Sequence, residues 1–348
     1  MTTIYVIRHA EAEGNLYRIV QGHRDSALTD RGWRQVRALE KRLEGVTFDA
    51  VYSSDLYRAR ATATAVSKPR GLPIIGVEDL REIRVGEWEE LTFGEIARRD
   101  PVMLDNFGHH MDLWRVPGAE SPRDVLERAW KFLNRVALEH DGQTVALVSH
   151  GYILRLALSK IEGMTLEETG NVPHGDNTSV SLLEYDGGAF RLVYRDDNSH
   201  LRTPEYLKQE TSKKRNNALE TGLWFRELAP GDPLAVRLCA EASCGVGDPD
   251  AVTLAAYLKD DVAGLVRLGS ELGRIDALYL REAYRHRGLG VQLIGQAVIR
   301  TRKRGGTHIR AALPTETAPF FRSCGFVRTG LPEDGQALWE KDIRFPEL

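Results

Sequence analysis

Two arginines, two histidines and one glutamate, spread over the first half of the chain, have the chemistry to handle a phosphoryl group. Arg8 and His9 close the apolar run Ile4-Tyr5-Val6-Ile7. A run ended by such a pair reads as a buried strand whose last residues emerge at the carboxyl edge of a sheet, where open α/β sheets bind ligands. His150 closes a second run, Val145-Ala146-Leu147-Val148, and a glycine follows it. Arg58 lies one turn into a helix-like segment, which Ser53 or Ser54 is placed to cap. Asn15 follows the opening pair, and Glu82 lies in the loop-like stretch LREIRVGEWEEL at 80–91. A transferring phosphoryl group spreads negative charge over its equatorial oxygens, which guanidinium and imidazole donors stabilise. One imidazole can attack in line and carry the group as phosphohistidine. A carboxylic acid must then protonate the leaving oxygen and afterwards activate water, and Glu82 suits both steps. With arginines carrying the charge, no metal is expected. The nearby Glu87, Glu89 and Glu90 read as an acidic solvated loop. His109, His110 and Asp112 form a lone cluster in a loop-like stretch, read as surface or substrate-facing rather than as metal ligands.

A second group of residues lies near the other end. The strand-like IDALYL (275–280) runs into REAYRHRGLG (281–290) and then an amphipathic helix at 291–305. Gly288 and Gly290 let the backbone approach a ligand, and free amides at the helix start suit a pyrophosphate. Arg285 and Arg287 add positive charge.

The elements that must position these groups alternate. Strand patterns at 3–8, 49–53, 144–149, 179–185 and 190–195 interleave with helical patterns at 29–44, 56–67, 92–99, 121–139 and 151–159. Such alternation predicts an α/β sheet covered on both faces. Gly187-Gly188 predicts a hairpin turn. Residues 201–221 are polar and read as a linker with a helical turn. A second pattern opens at Leu223, with strands over WFREL, 251–258 and 262–268. The chain therefore reads as two domains, 1–200 and 222–348, each a central mixed sheet flanked by helices. Its 348 residues can bury two cores.

Net charge is −3, which gives no argument for nucleic-acid binding. Residues 1–200 hold 25 Lys+Arg against 31 Asp+Glu, and residues 251–348 hold 15 against 11. The second part is thus locally basic, as an anionic cosubstrate would want. Three cysteines without paired spacing indicate neither disulfides nor a zinc site and point to a reducing cytoplasm. No signal-peptide pattern or membrane-length apolar stretch is found, so a membrane role is not expected.

The motifs RHAEAEGN (8–15), QGHRDSALTDRG (21–32), SSDLYRARATA (53–63), LREIRVGEWEEL, PGAES (117–121) and VALVSHG (145–151) occur in the order seen in the histidine phosphatase, or phosphoglycerate-mutase-like, superfamily. Residues 3–195 resemble that family, with Ala10 where its hallmark has glycine. The resemblance implies His9 as nucleophile and Glu82 as proton donor. It assigns phosphoryl binding to Arg8, Arg58 and His150, with Asn15 assisting. Mutase relatives carry Phe-Thr-Gly-Trp and Arg-His-Tyr-Gly stretches. This chain has LYRIVQGHRDS and Ile83-Arg84-Val85-Gly86 there, so hydrolysis of a small phosphate ester is expected rather than mutase transfer.

Residues 222–342 resemble the GNAT N-acetyltransferases through FREL..GD (225–232), the 259–261 hairpin, Arg-x-x-Gly-x-Gly (285–290) and APFFRSCGF (318–326). That resemblance implies acetyl-CoA as cosubstrate and an amine as acceptor. The pantetheine arm would lie on the backbone near Leu278 and Leu280. The pyrophosphate would lie on Arg285, Arg287, Gly288, Leu289 and Gly290. Phe321 stands where many members have an acidic tyrosine. Cys324, Tyr279 or water would have to replace it, with Glu271 or Asp276 as base; otherwise the domain senses acetyl-CoA without turning it over. Oligomeric state is not readable.

Overall fold

The central apolar runs of the first domain become strands because their side chains alternate between two buried layers. The strands are β1 (Thr2–Arg8), β2 (Ala50–Ser54), β3 (Ile74–Val77), β4 (Thr144–Ser149), β5 (Val180–Asp186) and β6 (Ala189–Asp197). They form one sheet in the order β3-β2-β4-β1-β5-β6. The first four pair in parallel, and β5 and β6 are antiparallel, so the sheet is mixed. The computed structural model describes residues 1–210, 222–245, 248–314, 317–330 and 336–348.

The helices of this part are α1 (Glu13–Tyr17), α2 (Asp30–Arg42), α3 (Tyr57–Ser67), α4 (Phe93–Arg99), α5 (Pro101–His109), α6 (Pro122–Glu139), α7 (Gly151–Ile161), α8 (Leu166–Thr169) and α9 (Pro204–Gln209). Ile4, Val6, Val145 and Leu147 pack under α6 and α7. Ile7, Ala146 and Val148 face the other way, against α2 and α3. Parallel strands buried on both faces read as continuous apolar runs, as these do.

The second sheet contains β7 (Trp224–Leu228), β8 (Val252–Leu258), β9 (Asp261–Leu268), β10 (Arg274–Leu280), β11 (His308–Pro314), β12 (Val327–Arg328) and β13 (Gln336–Asp342). Their order is β12-β13-β11-β10-β9-β8-β7. Among the described residues only β10 and β11 pair in parallel, and they do so at Arg274 and Ile275. From Ala277 to Leu280, β10 pairs with β9 and has left β11. The helices here are α10 (Pro233–Glu241), α11 (Gly290–Lys303) and α12 (Ala318–Ser323). Leu293, Ile294, Ala297 and Val298 of α11 cover one face of the sheet. Leu238 and Cys239 of α10 cover the other.

The two sheets share a seam. Leu16, Tyr17 and Ile19, from the first domain, belong to the apolar cluster of the second. A Cβ at Gly295 of α11 would lie 2.6 Å from Tyr17 Cβ, so glycine lets α1 and α11 meet closely. Arg302 pairs with Glu13 at 2.9 Å and Lys303 with Glu90 at 2.5 Å. Arg98 of α4 lies over the Trp224 ring at 4.3 Å.

Three local expectations change. Neither Ser53 nor Ser54 is the N-cap of α3; Leu56 holds that position, and Asp25, distant in sequence, accepts the Tyr57 amide at 2.7 Å. The stretch read as a loop around His109 is the helix α5, started by Pro101. At four residues, β3 is too short to stand out in sequence. Gly187 and Gly188 both have positive φ and form the β5–β6 turn. Of the expected linker, 204–209 is helical and 211–221 lies outside the described residues.

Candidate active site

β1 ends at Arg8 and β4 at Ser149, paired side by side, so His9 and His150 leave the sheet at one edge. Their rings lie 5.2 Å apart between centroids. His9 is 3% exposed and His150 0%. The Nδ1 of His9 lies 2.7 Å from the carbonyl of Ala10. A carbonyl can only accept, so Nδ1 carries the proton and Nε2 keeps its lone pair. Burial above all, then the Arg58 and Arg8 guanidinium groups, push His9 well below the ordinary imidazole value. Burial followed by Arg58 does the same to His150. Both rings are therefore neutral near pH 7, the form in which a histidine is nucleophilic.

Arg58 is buried, and its two terminal nitrogens each donate at 2.8 Å, to the carbonyls of Arg24 and Gly22. Burial lowers its pKa to about 10, which still leaves it charged. Arg8 donates to the carbonyl of Gly175. A Cβ at Gly151 would lie 3.1 Å from Arg8 Nε, so the glycine after His150 makes room for that guanidinium. Arg8 Nε, Arg58 Nε and both ring nitrogens of His150 are buried without a protein partner. Polar atoms in that condition are costly unless a ligand meets them. The two guanidinium Nε–H groups and the one N–H of the neutral His150 ring are three donors that suit an oxyanion.

Glu82 reaches the same edge from its loop. Its carboxylate accepts the amides of Tyr152 at 3.1 Å and Ile153 at 3.2 Å, at the start of α7. Helix N-termini favour anions, which fixes the carboxylate beside His150. Two residues absent from the sequence reading hold its backbone. His23 lies 2.8 Å from the Glu82 carbonyl. Arg128 of α6 donates to the carbonyls of Asp79, Arg81 and Glu82 and forms an ion pair with Glu120. The available signals were the histidine inside QGHRDS and an arginine one turn or more into the helix after PGAES.

Asn15 lies in the first turn of α1. Its side-chain oxygen accepts the Ala12 amide at 3.0 Å and caps α1. His109 and His110 are exposed and pair with Asp105. Among the described residues no group of His, Cys, Asp and Glu is arranged to hold a metal ion.

At the second candidate site, the parting of β10 from β11 opens the β10 edge near Leu278 and Leu280. Arg285 donates to the Leu280 carbonyl at 2.7 Å, so that acceptor is already engaged. Gly288 has φ +75°, a conformation glycine adopts without strain. Leu289 is buried, and α11 starts at Gly290 without a side-chain cap. No side chain caps its first amides, although the amide of Gln292 bonds the Leu289 carbonyl at 3.0 Å, and the exposed Arg285 and Arg287 lie alongside. These residues fit a pyrophosphate. Phe321 points into the core, 5.0 Å from the Phe326 ring. Asp276 is paired with Arg274 at 2.7 Å, and Glu271 is exposed near Arg310.

Residues 4–198 match the model of the histidine phosphatase superfamily (branch 1), and residues 240–339 match an acetyltransferase (GNAT) domain. A metal-independent phosphoserine phosphatase of Arabidopsis thaliana is 34% identical over 182 residues, 50% of this chain and 76% of that protein. A protein of Mycobacterium tuberculosis named as bifunctional is 35% identical over 202 residues, 55% of this chain; the match spans 53% of that relative. The solved structure of YhfR from Bacillus stearothermophilus is 37% identical with a TM-score of 0.56, covering 58% of this chain and 100% of its own.

Proposed function

The chain belongs to the histidine phosphatase superfamily, and on that premise we propose that its first domain is a phosphomonoesterase working through a phosphohistidine. His9 Nε2 attacks the phosphorus as the ester oxygen leaves. Glu82 gives that oxygen a proton, and its carboxylate then takes one from the water that attacks the phosphohistidine. Arg8, Arg58 and His150 hold the phosphoryl oxygens, with Asn15 assisting. The observation that carries this reading is the set of buried, unpartnered donors on Arg8, Arg58 and His150 around a neutral His9.

The substrate is a small phosphorylated metabolite, and phosphoserine heads the panel because a relative is named for it. The test is hydrolysis of p-nitrophenyl phosphate and of metabolite phosphates, with and without a chelator, by the full chain and by His9→Ala. Loss of turnover in the variant by a factor of 10³ or more supports the assignment, in line with removal of a covalent nucleophile. Undiminished hydrolysis refutes it, and isomer interconversion of phosphoglycerates exceeding hydrolysis would favour a mutase.

The second domain is, on this reading, an acetyl-CoA-dependent N-acetyltransferase. Bound acetyl-CoA would supply the acetyl group, held by the backbone near Leu278 and Leu280 and by residues 285–290. The buried Phe321 supports a second reading, in which the domain binds acetyl-CoA without efficient transfer. Calorimetry with acetyl-CoA followed by an amine screen for free CoA separates the two. The compartment is the cytoplasm on this reading, supported by a cysteine content of three without paired spacing. No helix among the described residues is long and apolar enough to cross a membrane.

A further inference from the structure

Between the two domains lies a cleft of about 250 Å³, separate from the residues assigned above to phosphoryl transfer and to acetyl-CoA. Ile19 and the segment Arg24–Asp25 line one side, and Val298, Ile299 and Phe345 line the other. Small-molecule sites occur preferentially at domain interfaces, and this volume is just under the drug-sized range of about 300 Å³ and above, so the cleft suits a single small metabolite.

The charges around it divide into two kinds. Arg302 and Lys303 are already neutralised by Glu13 and Glu90. Arg24 and Asp25, both exposed at the mouth, are not so committed. Arg24 is 62% exposed in its side chain and only loosely paired with Glu89, at 3.6 Å. Asp25 accepts one amide, from Tyr57, and forms no ion pair among the described residues. Neighbouring residues of opposite sign over an apolar wall define a ligand with opposite charges at one end and an apolar body at the other. An α-amino acid carries its carboxylate and ammonium on a single carbon, so Arg24 and Asp25 can meet both at once. Its side chain then packs against Ile19 and Val298, which are already buried, and takes the half-buried Ile299 and the exposed Phe345 out of water.

We propose that the cleft between α1 and the C-terminal half of α11 is a binding site for a free α-amino acid with an apolar side chain, held by Arg24 and Asp25. Titration calorimetry of the full chain with L-leucine and L-phenylalanine tests it, with leucinamide and N-acetyl-leucine as probes lacking one charge. One equivalent of the amino acid binds, and each probe binds at least tenfold more weakly. Arg24→Gln weakens binding at least tenfold, as does Ile299→Trp, which fills the cleft; Ile299→Trp still hydrolyses p-nitrophenyl phosphate, showing that the chain is folded. His9→Ala binds as the unaltered chain does. The proposal is overturned if neither amino acid binds at millimolar concentration, if both probes bind as well as leucine, or if the two cleft variants bind normally. It is equally overturned if His9→Ala abolishes binding, which would put the amino acid in the phosphatase pocket.

Discussion

Replacing Arg128 by methionine keeps an unbranched apolar stem and removes the guanidinium clamp behind Glu82. The guanidinium donates at 2.7 Å to the carbonyls of Asp79 and Arg81, and at 3.0 Å to that of Glu82. It also donates to Glu120 at 2.7 and 3.0 Å. Arg128 and Glu120 are 17% and 15% exposed in their side chains, so water recovers only part of what is lost. Hydrogen bonds to charged groups contribute about 1.5–3 kcal/mol each. Three carbonyls partly rehydrated give a net destabilisation of roughly 3 kcal/mol. A displacement of Glu82 by about 1 Å costs on the order of 100-fold in rate. Because Arg8, Arg58 and His150 are untouched, the loss falls on kcat, and KM changes little. It also depends on the leaving group. An alkyl phosphate needs a proton on its departing oxygen and loses the most; p-nitrophenolate leaves unaided and loses the least. Steady-state kinetics on the two esters, with thermal unfolding of both proteins, check this. Equal losses on both esters, or a drop in Tm with kcat unchanged, would show that Arg128 supports the fold and not the proton donor.

Gly151→Ala sets a Cβ 3.1 Å from Arg8 Nε, and KM for the phosphate ester rises several-fold with little change in Tm. The pH dependence follows from the lowered pKa values of His9 and His150. Both rings stay neutral in the folded protein below 6.5, so no fall in kcat/KM with an imidazole midpoint near 6.5 appears on the acid side. The unfolded chain binds those protons first, so stability decreases as pH falls below about 6.5, measurable by denaturant titration at pH 7.5 and 5.5. Arg302→Ala leaves Glu13, 9% exposed, without its cation, and removes donors from the Ile343 carbonyl. The cost is about 3 kcal/mol, and calorimetric unfolding separates into two transitions.

Much of the candidate phosphatase site was legible because its residues end apolar runs. β1 and β4 announce themselves by composition, and the residue that follows each is fixed at the sheet edge by geometry. Glu82 was harder, since Glu87, Glu89 and Glu90 crowd the same segment and only the family resemblance favoured it; the amides of Tyr152 and Ile153, seventy residues away, hold its carboxylate at the site. The cap of α3 was misread for the same reason. Ser53 and Ser54 have the right type, but Asp25 arrives from another loop. Arg128 and His23 act on backbone carbonyls, and sequence carries no mark of which carbonyls a side chain will reach. The seam was invisible: Leu16, Tyr17 and Ile19 read as an ordinary short helix until α11 is laid across them.

That seam bears on how the protein can be divided. Cutting the chain near residue 210 looks safe from the domain pattern. It would, however, strip the cover from Leu16, Tyr17 and Ile19, three side chains whose burial contributes roughly 1.5–3 kcal/mol each. The severed phosphatase half would carry a sticky greasy stripe a few residues downstream of its nucleophile. Any experiment on that half in isolation would therefore be reading a protein with an added tendency to self-associate, and its partner half would lack a piece of its own interior.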